Sequence, residues 1–200
     1  INADGSLAAL CGKGIRCAAL SVLRRNQAEA KFFDIPEAIE FDLNGHQVFC
    51  RFISRHKITA STESLPMVAV EMGLPLVNQK FPLMTVADQQ VAAKAPEFSG
   101  ELHGCRIAND HLILLQDHPV QNSDMQTWGK ALQSCDDWDG INVHLASPRD
   151  MDDKLRAQIA NELGEPVEEI YTVLPYERGV GPTEACGSGA CAVSAAILSN

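Results

Sequence analysis

Two short cysteine-containing segments carry the residue types that are best suited to chemistry in this chain. One reads Cys-Gly-Lys-Gly from Cys11, and the other reads Cys-Gly-Ser-Gly from Cys186. In each segment a further cysteine follows within an apolar stretch, and the two segments lie near opposite ends of the chain. This repetition, with a period too long for a solenoid, predicts two halves of similar fold with a site between them.

A cysteine that precedes glycines at the start of a helix has two physical consequences. The first helical turn leaves backbone N–H groups unpaired and carries a partial positive charge, which attracts a carboxylate and favours a thiolate over a thiol. Two such cysteines that face one bound amino acid could invert the configuration of its α-carbon. A thiolate removes the α-proton from one face, and a thiol returns a proton to the opposite face. This chemistry requires no pyridoxal phosphate or other cofactor.

The other cysteines favour a structural interpretation. A lone cysteine is most often a small core residue, and we expect this for Cys50, Cys105 and Cys135. Cys17 and Cys191 lie inside apparent helices, so packing is expected for them as well. Structural zinc sites favour C-x2–4-C spacing, whereas the spacings here are C-x5-C and C-x4-C and each second cysteine lies inside an apparent helix, so no metal site is predicted.

The whole chain limits the classes of protein. It has 200 residues with 46% hydrophobic and 21% charged content, which suits one large or two small packed domains. A net charge of −10 argues against a nucleic-acid surface. The chain has no apolar run of about 18 residues, no secretory signal and an odd number of cysteines. We therefore expect a soluble, cytoplasmic protein that binds a small molecule, without nucleic-acid or membrane partners.

Local patterns predict the elements that must position the cysteines. Helical spacing is found at residues 12–25, 125–135, 150–163 and 187–198, and strand-like runs at 38–43, 47–52, 67–71, 112–116, 141–146 and 169–174. Asn44-Gly45 between the first two runs predicts a hairpin. The sequence therefore predicts a mixed α/β fold.

The cysteine segments and their flanks resemble the two signature motifs of the diaminopimelate epimerase family. The first motif extends from residues 2–6 to Cys11–Cys17, and the second from Tyr176-Glu177-Arg178-Gly179 to Cys186–Cys191. Weaker similarity is found at residues 68–73, 109–111 and 141–143. The resemblance implies two pseudo-symmetric domains, residues 1–73 and 74–200, each with a curved sheet around a central helix. It also implies further segments beyond both ends and is compatible with a homodimer.

By resemblance, Cys11 and Cys186 would be the acid/base pair in the interconversion of L,L- and meso-diaminopimelate. The other implied substrate contacts are backbone N–H groups for the α-carboxylate at Gly12, Lys13, Gly187 and Ser188, Glu177 for the α-amino group, and Asn2, Asn109, Asn142 and Arg178 for the distal end. Amides suit a zwitterion because they both donate and accept, and an arginine can pair with a carboxylate through two bonds. Outside this resemblance, Asn109 and Asn142 would be interpreted as turn residues and Arg178 as a surface charge.

Some positions depart from the family pattern. Lys13 stands where asparagine is usual, Asp110 replaces a proline, and Pro182 replaces a glutamate. These differences support an alternative, a related two-cysteine racemase that acts on another amino acid. A second alternative is a non-catalytic binding member of the fold, against which the presence of both Cys11 and Cys186 argues.

Overall fold

The computed structural model describes residues 10–29, 38–43, 45–53, 67–78, 84–136 and 140–199. These residues fall into two compact units, one of Leu10–Met72 and one that begins at Gly73. Each unit combines a β-sheet with at least one helix. The predicted mixed α/β class is therefore confirmed.

The first unit is a helix on a three-stranded antiparallel sheet. Its elements are α1 (Gly12–Glu29), β1 (Ala38–Leu43), β2 (His46–Ile53) and β3 (Met67–Val70), with the strands in the order β1-β2-β3. Ile15, Ala19 and Leu23 recur every fourth residue, lie on one face of α1 and are buried. Ile15 and Ala19 pack with Val48 and Cys50 of β2 to form a small core.

The hairpin between β1 and β2 confirms the predicted turn. Leu43 pairs with His46 across the two strands, and Gly45 adopts a φ of +86°, which glycine tolerates without strain. The Gly45 N–H donates to the Asp42 carboxylate over 2.6 Å, which closes the turn. Asn44 itself lies outside the described residues.

The second unit is built on a six-stranded sheet. Its strands are β4 (Leu76–Val77), β5 (Glu101–Ile107), β6 (Asn109–Leu115), β7 (Asn142–Pro148), β8 (Tyr171–Glu177) and β9 (Gly181–Pro182), in sequential order across the sheet. Neighbouring strands are antiparallel except for β6 and β7, which are parallel. Its helical elements are α2 (Met84–Lys94), α3 (Asn122–Asp124), a π-helical turn (Met125–Gly129), α4 (Lys130–Gln133), α5 (Asp153–Leu163) and α6 (Gly187–Ile197).

The central strands of this sheet are covered by packed side chains. Leu112 and Leu114 of β6 belong to a core with Val143 and Leu145 of β7 and with Trp128. Helix α6 packs against strands β5 to β8, and its Ala192, Val193 and Ala196 are buried. The run Leu112–Leu114 is fully buried, as expected for a strand that is covered on both faces.

Helix boundaries differ from the sequence prediction where side chains cap or interrupt them. Asp152 accepts the Leu155 N–H over 2.7 Å, so α5 begins at Asp153, later than predicted, and Gly164 with a φ of +77° ends it. The helix predicted at residues 125–135 contains the π-helical turn. Gly129 in that turn lies so close to β8 that a methyl group there would be 2.8 Å from Tyr176 Cβ.

No described helix is long and apolar enough to cross a lipid bilayer.

Candidate functional site

Cys11 caps the first turn of α1. The Gly14 N–H donates to its sulfur over 3.4 Å, and the Ile15 N–H donates to its carbonyl over 3.0 Å. The thiol is exposed. Cys11 therefore presents its sulfur to solvent at the N-terminal end of α1, next to the first turn that contains Gly12 and Lys13.

Cys186 occupies the corresponding place at α6. Its backbone is extended (φ −127°, ψ 115°), and its carbonyl accepts the Ala190 N–H over 2.9 Å. Its sulfur lies 3.6 Å from the Ser188 hydroxyl oxygen. In this half-buried position the thiol sits over the first helical turn, to which the predicted Gly187 and Ser188 N–H groups belong.

The electrostatic surroundings of Cys186 favour the thiol over the thiolate. Burial raises its pKa above the ordinary value, and the carboxylate of Glu177 raises it further. The Ser188 hydroxyl and the Gly189 N–H act in the opposite direction because they stabilise the anion. Burial, and not the helix terminus, is therefore the largest influence on the pKa of this cysteine.

Glu177, the last residue of β8, links several groups of this site. One of its carboxylate oxygens accepts a hydrogen bond from the Thr183 hydroxyl over 2.6 Å. The negative charge of the same carboxylate raises the pKa of the Cys186 thiol and that of His111 of β6. The structure thus brings the predicted residues Glu177 and Cys186 together.

Asn142 ties three strand ends together through its amide. Its Nδ2 donates to the Asp110 carbonyl over 3.3 Å, and its Oδ1 accepts the Arg178 N–H over 3.0 Å. Asn109, the first residue of β6, precedes Asp110 directly. The predicted residues Asn109, Asn142 and Arg178 are therefore neighbours, and the Asn142 side chain is engaged with the backbone.

Asp110 stabilises this end of the sheet by a second route. Arg106 of β5 donates two hydrogen bonds to its carboxylate, over 2.5 and 2.9 Å, across the β5–β6 hairpin. Two parallel bonds of this kind fix geometry as well as adding energy. The single residue that joins the strands, Ala108, has a φ of +60°, which is rare for alanine.

Arg178 lies with its aliphatic stem on the backbone of Gly140. A methyl group at Gly140 would be 2.8 Å from Arg178 Cγ and closer still to Cδ. Gly140 also has a φ of +71°, so a side chain there is disfavoured on two grounds. The direction of the Arg178 stem is therefore set by a glycine two residues before Asn142.

A pair of buried histidines next to this site was missed by sequence reasoning. The two side chains are 0% exposed, and His111 Nδ1 lies 2.8 Å from His144 Nε2. They are 33 residues apart, and only the parallel pairing of β6 and β7 brings them together, so no local signal could have revealed the pair.

Both histidines are held in the neutral form. Burial lowers the pKa of His111 to about 4, although Asp110 and Glu177 raise it. Burial and the neighbouring His111 lower the pKa of His144 well below its ordinary value. A hydrogen bond between two neutral imidazoles requires one ring to donate and the other to accept.

The remaining predicted residues have mixed outcomes. Asn2 lies outside the described residues. Cys50, Cys105 and Cys135 are buried, as predicted, whereas Cys17 and Cys191 are exposed, so the prediction that they pack is wrong. Cys17 and Cys191 each lie just after the first turn of a helix, on the face that is exposed to solvent. Helical spacing alone does not reveal which face of a helix is exposed. Among the residues that the structure describes, no three His, Cys, Asp or Glu side chains are grouped to hold a metal ion.

Together these features define a class, a mixed α/β protein in which each of two units contains a helix capped by a cysteine of a C-G-x-G segment. Comparison of sequences shows which known proteins the chain resembles. The chain is 35% identical to a diaminopimelate epimerase of Listeria innocua over 97% of its own length and 52% of the relative. It is 25% identical to that of a Geobacillus strain over 100% of this chain and 61% of the relative, and 30% identical to that of Legionella pneumophila over 97% and 59%.

The chain is therefore a homologue of the diaminopimelate epimerases. It spans between about half and about three fifths of the length of these curated relatives. No family model matches it.

Proposed function

We propose that the protein is a diaminopimelate epimerase that interconverts the L,L and meso forms with two cysteines and no cofactor. The observation that carries this proposal is the position of Cys11 and Cys186, each of which caps a helix in a chain related to these epimerases. The repeated segment also supports the proposal that the two units are copies of one fold with a curved sheet around a central helix.

In the proposed reaction, one cysteine removes the α-proton as a thiolate and the other returns a proton to the opposite face as a thiol. Helix N-termini stabilise the carboxylate as charge builds up on the carbanion, through N–H groups at Gly12, Lys13, Gly187 and Ser188. Since the pKa of Cys186 is raised by its burial and by Glu177, we assign Cys186 the starting role of proton donor in the ligand-free protein. Cys11 is then the starting base.

Glu177 would hold the α-amino group, and its oxygen is already oriented by Thr183. Arg178 and the neighbouring amides of Asn109 and Asn142, with Asn2, would bind the distal amino and carboxylate groups. The hydrogen bonds of Asn142 with Asp110 and Arg178 support this assignment, because they fix the relative positions of these groups before a ligand binds.

The test is α-proton exchange in D₂O, followed by ¹H NMR with L,L-diaminopimelate and the reduced full-length protein. We expect deuterium incorporation with conversion to the meso form, and loss of conversion in both Cys11→Ala and Cys186→Ala. Cys17→Ala is the matched control, because Cys17 is an exposed cysteine of the same helix that the mechanism does not use. The absence of exchange in the unmodified protein would rule out this substrate.

A related racemase for another amino acid is the second candidate. Lys13 supports it, because an exposed lysine in the first turn of α1 places a cation where relatives of this family usually have an amide. A panel of amino acids in the same exchange assay separates the candidates. Exchange with one of them, but not with diaminopimelate, would favour the racemase.

A further inference from the structure

The second glycine of the C-G-x-G segment at α6 lies directly against a histidine ring. A methyl group built on Gly189 would be 2.8 Å from both ring nitrogens of His144 and closer still to Cε1. Contacts this short are not tolerated between a Cβ and a ring. An alanine at residue 189 would therefore have to lift the first turn of α6 away from the sheet or displace the ring.

The ring of His144 has little freedom to move away. It is 0% exposed on the central strand β7, and its Nε2 lies 2.8 Å from Nδ1 of His111, which is equally buried. The two ring centroids are 5.0 Å apart with an interplanar angle of 33°. The histidine pair is therefore a fixed support under the start of α6, made by two neighbouring strands.

The first cysteine segment uses its second glycine differently. A methyl group at Gly14 would lie 3.4 Å from the sulfur of Cys11, at the limit of ordinary contact. Within the described part of the chain, the atoms that it would approach belong to Cys11 itself. The same sequence pattern therefore has different surroundings at the two helices, and at α6 the second glycine allows the helix to pack closely against His144.

The distance between the first turn of α6 and the sheet determines where the Cys186 thiol lies relative to the strands. Cys186 precedes the turn that contains Gly189, whereas Glu177, which acts on the thiol, belongs to β8. A change in the distance between α6 and the sheet moves the sulfur relative to that carboxylate and changes its burial. Glu177 is the charged group that faces the thiol from the strands, and Ser188 and Gly189 face it from α6.

We propose that His144 is a positioning residue for Cys186, acting through Gly189 by setting how closely the first turn of α6 approaches the sheet. The statement that this thiol is catalytic rests on the proposed function, whereas the positioning does not. Lifting or loosening the turn exposes the thiol and separates it from Glu177, and both changes favour the thiolate. The thiol then reacts faster with an alkylating reagent while it is less well placed for proton transfer.

The experiment measures iodoacetamide labelling of individual cysteines in the full-length protein, by peptide mass spectrometry at about pH 7. The variants are Gly189→Ala, His144→Ala and the double variant. We expect each single variant to speed labelling of Cys186 by about threefold or more. In the double variant the methyl group occupies space that the ring has left, so labelling returns to within about twofold of the unmodified protein.

Two other cysteines are the internal controls. Cys105 is buried on β5, against which α6 packs, so it remains unlabelled as long as the helix stays docked. Cys191 is exposed in the same helix and is expected to keep its rate. Labelling of Cys105 in parallel with Cys186 would show that the whole helix loosens, and would overturn the proposal.

Further outcomes separate the proposal from its alternatives. A double variant no better than Gly189→Ala would overturn it, because the ring would not be what the glycine accommodates. If Gly189→Ala does not fold, an unchanged rate for Cys186 in His144→Ala overturns it by itself. In the exchange assay we expect kcat to fall about tenfold in His144→Ala with little change in KM. A protein without any exchange activity would refute the proposed function but leave the labelling result decisive for positioning.

Discussion

At the scale of single residues, the central feature is a thiol that shares its surroundings with a carboxylate. Burial, and to a smaller extent the carboxylate of Glu177, raise the pKa of Cys186, so in the proposed reaction this thiol is suited to give a proton before it can accept one. Cys11 is exposed, and its sulfur accepts a backbone N–H. The two cysteines share a sequence pattern but lie in different environments, which fits two different starting roles in the proposed two-cysteine reaction.

The hydroxyl of Thr183 provides a test of how Glu177 is oriented. Thr183→Val keeps the shape of the side chain but removes the donor to the carboxylate, and a lost hydrogen bond to a charged group costs about 1.5 to 3 kcal/mol. We expect kcat/KM for α-proton exchange to fall about tenfold or more. Thr183→Ser retains the hydroxyl and is expected to retain most of the activity. Equal rates for the two variants would contradict the orienting role.

At the scale of secondary structure, the one-residue connection between β5 and β6 positions Asn109, the first residue of β6. Ala108 adopts a φ of +60°, a conformation that costs an alanine about 1 kcal/mol or more. Arg106 and Asp110 close the hairpin on either side of it. The strained residue therefore lies at the end of the sheet where the predicted substrate-binding residues Asn109, Asn142 and Arg178 meet.

Substitutions at Ala108 measure that strain. We expect Ala108→Gly to leave the free energy of unfolding unchanged or to raise it by up to about 1 kcal/mol, because relief of strain is partly offset by the more flexible unfolded chain. Ala108→Val should lower it by about 1 to 3 kcal/mol, since a β-branched residue resists a positive φ. Urea denaturation measures both values. A valine variant as stable as the glycine variant would show that the turn is unstrained.

The sequence predicts the elements whose pattern is local. The helix starts at Gly12 and Gly187, and the β1–β2 hairpin, are found where glycine and cysteine spacing indicates them. Strand β5 was missed because its centre reads His-Gly-Cys-Arg, and its buried His103 and Cys105 are not recognisable as core residues before the neighbouring strands are known. Helix α2 lacks a clear apolar stripe.

The candidate site also contains residues that local sequence patterns identify and residues that they do not. The cysteines and Glu177 belong to continuous motifs, so resemblance finds them. The His111–His144 pair and the contact between Gly189 and His144 depend on how strands and helix are packed, which the sequence does not encode in any one window. Thr183 follows Glu177 closely, but its role depends on the β8–β9 hairpin that turns it back.

At the scale of the whole molecule, the buried histidines link stability to acidity. A neutral imidazole that is buried in the folded state must be charged as the pH falls, and the unfolded chain binds that proton more readily. The pKa of His111 is lowered from 6.5 to about 4. The stability that this group contributes is present above pH 6.5 and is lost as the pH falls towards 4.

We therefore expect the free energy of unfolding to decrease between about pH 6.5 and about pH 4, by up to about 3 kcal/mol from His111 alone. Urea denaturation at intervals across this range measures the slope. In a His111→Gln variant the decrease should be clearly smaller. The same slope in both proteins would show that other groups are responsible for the loss.

A core substitution gives a second test at this scale. Leu114 is fully buried in the sheet of the second unit. Leu114→Ala should lower the free energy of unfolding by about 2 to 5 kcal/mol, because a cavity is left among rigid neighbours. The exposed Leu74 offers the matched control, since Leu74→Ala should change it by less than about 0.5 kcal/mol. A small effect at Leu114 would contradict the close packing of this layer.

The glycine under Arg178 has a consequence for the entropy of recognition. An arginine carries about 2 kcal/mol of rotamer entropy, and immobilising it normally weakens binding by part of that amount. The stem of Arg178 lies against the backbone of Gly140, so several of its torsions are restricted when the chain folds. An anion that meets this guanidinium therefore encounters a side chain whose ordering was largely completed before the ligand arrived.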